Sequence, residues 1–405
     1  MPSSPASNAI KLQRLALGKQ GLTRKAPFGS GLQGTAAALR HLGYVQIDTI
    51  SVVQRAHHHI LATRVPNYKN EHLNQLVSRG LAFEYWHHAA AYMPIEDYRF
   101  ARLRMQDIKD GVRFWSKRRD LKLEKKILQR IRADGPLMAR DFEAPGHKSN
   151  GWWEWKPAKH SLEQLFMMGD LCAAQRDGFQ KVYDLPERVL PPEVVTQLPS
   201  TASYAEHLLD SQLANYGHVT AKSVTYLQRS PELRQACKAL FKERIAAKQL
   251  VAVELPKAAS VYTTPEILAA RTPPPSSKLR ILSPFDNSLI QRERVQRLFG
   301  FDYQIECYVP EAKRQFGYFC LPLAFADDLI GRMDCKAHRQ SKHLEIRALF
   351  LEKPIPNKLQ DKFVHAFAAA CQEFKDFNQC DEMTLSKCRP AQWRAPLQKA
   401  LSALA

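Results

Sequence analysis

The sequence predicts an α+β chain: winged helix-turn-helix units in tandem, followed by a C-terminal β-rich domain. Three observations predict it. Residues 121–185 read as three helical stretches and then two short strands about Asp177-Gly178. Residues 200–265 repeat that order, more weakly. Residues 278–405 instead carry segments with alternating faces and one amphipathic helix.

Each element has a local reason. "LKLEKKILQRIRADG" has apolar residues at helical spacing and stops at Gly135. "PLMARDFEAPG" is a short second helix, and "KPAKHSLEQLFMMGD" a third that opens with Pro157 near its first turn. "LCAAQRDGFQKVYDL" supplies the hairpin. That succession is the order of a winged helix-turn-helix, a unit that commonly lays one helix in a DNA groove. In the repeat, the helices are "TASYAEHLLDSQLANYG", "TAKSVTYLQRS" and "PELRQACKALFKERIAAKQL", and the strands are "VAVEL" and "ASVYTT". Helices such as "GTAAALRHLG" and "NEHLNQLVSRG" within 8–108 suggest a third such unit, with "YVQIDTI" as its extended piece. In the last block "KLRILSPFD", "YQIECYV", "FGYFCLPLAF", "LIGRMDCKAH" and "KHLEIRALFLE" read as strands, and "NKLQDKFVHAFAAACQEFKDF" as the helix. The Pro-rich stretches 184–200 and 271–277 are the linker candidates. The expected domains are therefore 1–115, 116–190, 200–270 and 278–405.

The 405 residues carry 59 Lys plus Arg against 40 Asp plus Glu, a net charge of +19. Such an excess concentrates polyanions, nucleic acid before a membrane surface. No apolar run approaches the roughly 18 residues of a membrane span. The polar opening segment lacks a secretory signal, so a cytoplasmic protein is expected. The eight cysteines, scattered without C-x-x-C, read as reduced thiols rather than a disulfide frame or a zinc site. No phosphate-binding glycine loop, G-x-S-x-G or H-E-x-x-H occurs, which argues against nucleotide hydrolysis and the common serine and zinc hydrolases.

Three adjacent histidines in "RAHHHIL" (55–61) suggest metal at a glance, but neighbouring side chains on a helix diverge by about 100°. Metal sites on helices use i, i+3 or i, i+4 spacing, so no metal and no cofactor are expected. A metal hydrolase using His57, His59 and His88 is the weakest reading, and one that EDTA would test.

"GWWEWKPAKH" (151–160) packs three tryptophans and two lysines together. The tryptophans anchor a helix, while Lys156 and Lys159 at its start reach phosphates. "WSKRRDLKLEKK" (115–126) is a charge run that either contacts phosphates or is a solvated face. In "GRMDCKAHRQSKH", alternation places Arg332, Asp334, Lys336 and His338 on one face, a strip for gripping a nucleic-acid backbone unless Asp334 merely neutralises its neighbours. Arg55, His57, His88, Arg314 and Arg339 complete the expected DNA contacts.

In "YVQIDTISVV" (44–53), Gln46 and Asp48 sit two apart, so in an extended chain both point to one face. Asp48 either caps a helix through "TISVVQ" or serves hydrolysis of an N-glycosidic bond. That reaction develops positive charge on the sugar and adds a water, both tasks for a carboxylate beside an amide.

Long segments resemble the AlkZ-like winged-helix DNA glycosylases, and closely their YcaQ (AlkX) branch: "VQIDTI", "EYWHHAAAYMP", "NGWWEWKP", "ILSPFD", "IECYVPEAKRQFGYFCLPL" and "GRMDCKAHR". The likeness runs from about residue 10 to 390. It implies a C-shaped DNA-binding surface and a monofunctional glycosylase that removes N7-alkylguanine and unhooks interstrand crosslinks. The family's Gln-apolar-Gln/Asp signature falls on Gln46-Ile47-Asp48, with Asp48 as general base or cation stabiliser and Gln46 positioning water. The expected partner is double-stranded DNA carrying alkylated or crosslinked guanine, bound by a monomer. A non-enzymatic winged-helix regulator is the alternative.

Overall fold

The structure is a computed structural model that describes residues 4–116, 118–142, 157–256 and 258–403. Its mixed α+β chain forms two compact units. One comprises Thr35–Tyr44 and Lys69–Ser200, the other Met1–Gly34, Val45–Tyr68 and Thr201–Ala405. The expected Pro-rich linker 184–200 therefore ends at a unit boundary. The second, 271–277, lies inside a unit.

The smaller unit holds helices Glu71–Ser78, Tyr98–Lys109, Leu121–Asp134 and Pro157–Met168, with hairpins Ala82–Trp86/Ala90–Pro94 and Cys172–Asp177/Gln180–Asp184. Asp120 caps the Leu121–Asp134 helix by accepting from Leu123 N–H, and Gly135 ends it at φ +89. Of the expected helix in "PLMARDFEAPG", the described residues form a 3₁₀ turn, Ala139–Phe142, and 143–156 lie outside the described residues. Ile127, Ile131, Leu162, Leu165, Phe166 and Tyr183 form the core.

The larger unit runs Pro5–Lys19, Ala56–Ala62, then Thr201–Tyr216, Ala221–Val224 and Pro231–Ala246, then the hairpin Val251–Leu255/Ala258–Thr263. The expected three helices and a hairpin are there in order. The middle one is a single turn, closed by a reciprocal Thr220–Ser223 capping box. Five strands follow, in spatial order Glu382–Arg389, His343–Leu351, Asp328–His338, Cys320–Ala326 and Ser276–Ile281. The first two are parallel and the remaining pairs antiparallel. Helix Gln360–Phe377 buries Phe363, Phe367, Cys371 and Phe374.

This block corrects three expectations. "YQIECYV" forms no strand, because Glu306 turns inward to accept N–H groups from Gln315, Phe316 and Gly317. The parallel strand Glu382–Arg389 was not expected, and helices Arg292–Phe299 and Arg394–Ser402 join the expected long one. All eight cysteines are free thiols. Among the described residues no helix is long and apolar enough to cross a membrane.

Candidate active site

The site grows from the segment after strand Val45–Gln46. Val45, Ile47 and Val53 are buried, which fixes the path of the chain on both sides of Asp48. Residues 47–55 form neither helix nor strand, and the next helix begins at Ala56. Asp48 is thus no helix cap. Its Oδ1 accepts from Ile50 N–H at 2.7 Å, a local turn two residues long.

The loop is pinned from strand Asp328–His338, from the residue that follows it and from the C-cap of helix Gln360–Phe377. Ala337 N–H donates to the Val52 carbonyl at 2.9 Å, and Gln54 N–H donates to Asn378 Oδ1 at 2.9 Å. Arg339 Nη2 donates to the carbonyls of Ser51 at 2.7 Å and Val53 at 3.0 Å. Arg339, expected at a phosphate, therefore spends donors on holding this loop. Four backbone groups within four residues are fastened, so the half-buried Asp48 projects from a rigid support.

Burial pushes the Asp48 carboxyl above its usual range, and the Ile50 hydrogen bond draws it only partly back. Among the described residues no lysine or arginine forms an ion pair with it. The negative charge of Asp48 is felt at Cys307 and Tyr308: burial first, then that charge, raises the Cys307 thiol, and Tyr308 is raised by burial, Cys307 and Asp48. Neither residue was expected near the site. The segment "IECYVPEAKRQFGYFCLPL" was the only hint, and its first part was read within the expected strand "YQIECYV". Gln46 is buried at the strand end.

The three histidines take different surroundings. His57 is buried with its ring 4.2 Å from that of His58. His58 Nδ1 lies 2.7 Å from Tyr68 Oη. His59 Nε2 lies 2.9 Å from the Ile281 carbonyl, and its ring faces Phe374. Burial lowers His58 and His59 to about 4, helped at His58 by the Arg55 charge. His88, in the smaller unit, sits edge-on to Tyr44 and 3.1 Å, Nδ1 to Nδ1, from His87. Burial takes it to about 4 as well, so it stays neutral near pH 7 and brings no charge to a phosphate.

The basic strip is a correction. Arg332 is 2% exposed and gives a two-pronged ion pair to Glu352 at 2.7 and 2.8 Å. Its Nη2 also donates to the Asp302 carbonyl at 2.6 Å, and its guanidinium lies 3.9 Å from the Phe316 ring centre. Asp334 is buried too, while Lys336 and His338 are half-buried. The strand lies inside the sheet and is covered over 329–335, and a bulge at Asp334/Cys335 breaks the alternation. Arg314 is half-buried, its Nε on the Val309 carbonyl at 2.9 Å and its guanidinium over Tyr318. Arg55 is half-buried beside the Ala56–Ala62 helix, and Lys159 is exposed in the first turn of its own helix. Lys156, Trp152, Trp153 and Trp155 lie outside the described residues.

A carboxylate on a fixed loop, partly dried and without a cationic partner among the described residues, suits a reaction that builds positive charge beside it. Among known families, the model described as DNA glycosylase AlkZ-like matches residues 39–377. The chain belongs to the AlkZ-like DNA glycosylase family. An AlkZ-like chain of this kind is an enzyme, a DNA glycosylase, and therefore binds DNA. Among solved structures, the Streptomyces sahachiroi DNA glycosylase AlkZ matches with a TM-score of 0.58 at 15% identity, covering 96% of this chain and 100% of that one. At that identity the likeness is one of fold. The AlkZ-like assignment also displaces the alternative of a non-enzymatic regulator.

Proposed function

We propose that this AlkZ-like glycosylase hydrolyses the N-glycosidic bond of N7-alkylguanine in double-stranded DNA and unhooks interstrand crosslinks carried through that atom. Asp48 serves as general base or as stabiliser of the sugar cation, and Gln46 positions the water. The observation that supports this most is the carboxylate of Asp48, raised by burial and without a lysine or arginine partner among the described residues. A cation at its side would neutralise it. Left unpaired, it gains attraction as the deoxyribose becomes positive.

The substrate class follows from the same economy. An N7-alkylguanine is already positively charged, so it departs without a proton donor. One carboxylate and one water then suffice, and general-base assistance supplies roughly 10²–10⁴-fold. A crosslinked base stays tied to the opposite strand and cannot swing into a closed pocket. A half-exposed carboxylate on a surface loop is compatible with a lesion that remains in the duplex.

The test is direct. The purified protein, with chelator present, is incubated with a duplex containing N7-methylguanine and with one containing a crosslink through guanine N7. Free base and an abasic site are expected from the first, and separated strands from the second. Full activity in Asp48→Asn removes Asp48 from the chemistry.

A further inference from the structure

The segment between helix Arg292–Phe299 and strand Cys320–Ala326 is long and irregular, yet firmly fastened. Glu306 accepts three backbone N–H groups, from Gln315 at 2.9 Å, Phe316 at 2.9 Å and Gly317 at 3.0 Å. Arg332 holds its base through the Asp302 carbonyl and the Phe316 ring. Arg314 ties its far side back to the Val309 carbonyl. Gly317 has φ +144, and a Cβ there would lie 2.5 Å from Asp334 Cγ, so the loop is pressed onto the central strand where only glycine fits.

From this fastened loop one large side chain stands out. Tyr308 is 80% exposed, although its neighbours Phe301, Tyr303 and Phe319 are buried. A fold that takes this trouble to fix a loop, and then leaves an aromatic ring in water, has not spent the ring on its own core. Both this loop and the Asp48 loop are attached to strand Asp328–His338, one through Arg332 and Gly317, the other through Ala337.

We infer that Tyr308 is a nucleobase-stacking residue that enters the duplex beside the lesion and holds it open for Asp48. The inference rests on Asp48 being the catalytic carboxylate. A base tied to the other strand cannot be turned out, so the enzyme must gain access by separating the stack locally. A flat ring presented on a rigid loop does that at little entropic cost, because it is ordered before DNA arrives. Every base offers a π-face, so the contact discriminates little by sequence.

The experiment uses the full chain and a duplex with 2-aminopurine next to N7-methylguanine on a 2′-fluoro sugar, which slows cleavage. Binding is followed by anisotropy and stacking by 2-aminopurine emission. Wild type and Tyr308→Phe change the emission on binding. Tyr308→Ala and Tyr308→Leu bind but leave it as in free duplex. On the ordinary sugar, base release under single-turnover conditions falls roughly tenfold or more in Tyr308→Ala, the scale of one lost base stack. So exposed a residue is removed without loss of fold, which an unchanged unfolding midpoint verifies. Emission and rate of Tyr308→Ala equal to wild type overturn the inference, as does Tyr308→Leu behaving like Tyr308→Phe, since bulk and not stacking would then be at work. An active Asp48→Asn strikes the catalytic reading instead, and the emission assay, which needs no cleavage, keeps the two failures apart.

Discussion

Two carboxylates in the larger unit, Asp48 and Asp286, are drawn from water to different depths, and the fold treats them oppositely. Asp286 is wholly buried, and so is Arg64, which grips it at 2.7 and 2.8 Å. Ser288 adds its N–H at 2.9 Å and its hydroxyl at 2.6 Å. The remaining Arg64 donors go to the carbonyls of Gln20 at 2.7 Å and Ile60 at 2.9 Å. Burial alone would push Asp286 up, but Arg64 and Ser288 outweigh it and hold the carboxyl below its usual range. Asp48 is less buried, yet it ends above its usual range, because among the described residues the Ile50 N–H is what answers the desolvation, and it does so only in part. The difference teaches that this chain can neutralise a buried acid when it needs to. Among the described residues it does not do so at Asp48, and the proposed role of that carboxylate draws on this difference.

Substituting one residue at each place should separate activity from stability. Asp48→Asn keeps the acceptor for Ile50 N–H and removes the charge. Base release should fall by about 10²-fold or more, while the urea midpoint stays level or rises. Arg64→Ala strands a buried carboxylate and should cost about 3–5 kcal/mol of unfolding free energy. Its residual folded fraction should keep the chemistry. A loss of stability in Asp48→Asn matching that of Arg64→Ala would break the contrast.

Acidity sharpens it next. Asp48 binds its proton more tightly folded than unfolded, so its ionisation costs stability as the pH rises through the folded value, and relief comes on acidification. Asp286 does the reverse: its contribution is complete above the ordinary carboxylate value and disappears as the pH falls through the folded one. Base release should show an acid limb centred above 3.8, the ordinary aspartate value, and Asp48→Asn should lack that limb. His58, His59 and His88 add a separate effect. Their folded values near 4, against an ordinary 6.5, mean that stability present above 6.5 is lost as the pH drops toward 4. Thermal melts across that range read it directly, and flat melts would refute the burial of these rings.

Arg332 and Lys159 extend the comparison to cations. Arg332→Ala removes charged hydrogen bonds to Glu352 and Asp302, so it should lower stability by roughly 1.5–3 kcal/mol and loosen the Tyr308 loop. Weakened DNA binding with an unchanged unfolding midpoint would return Arg332 to the phosphate strip.

How far the sequence was legible follows from the range over which each signal acts. The helices Leu121–Asp134 and Pro231–Ala246 were readable because caps, apolar spacing and the closing glycine or turn all lie within one segment. So were the four strands Ser276–Ile281, Cys320–Ala326, Asp328–His338 and His343–Leu351. Arg332 was misread because its partner Glu352 is twenty residues on and on another strand's end, where no local pattern reports it. Residues 303–309 alternate like a strand, but their fate is decided by Glu306 reaching backbone donors nine to eleven residues away. The pair Gln46 and Asp48 stood out as polar residues in an apolar run. That Ala337, Arg339 and Asn378 would fasten the loop around Asp48 was invisible, since those contacts span about 285 to 325 residues.

Lys159 supplies the smallest expected effect and the cleanest. It is exposed in the first turn of helix Pro157–Met168, so its removal disturbs no core. If its ammonium neutralises one phosphate, log affinity against log salt has a slope near −0.9 for each such contact, and Lys159→Ala should reduce the slope by about one unit. The loss should be uniform across duplex sequences and should leave single-turnover base release intact at saturating protein. Asp48→Asn should do the converse, with the slope unchanged and the chemistry lost. An unaltered slope in Lys159→Ala would mean that the +19 excess meets DNA elsewhere on the chain.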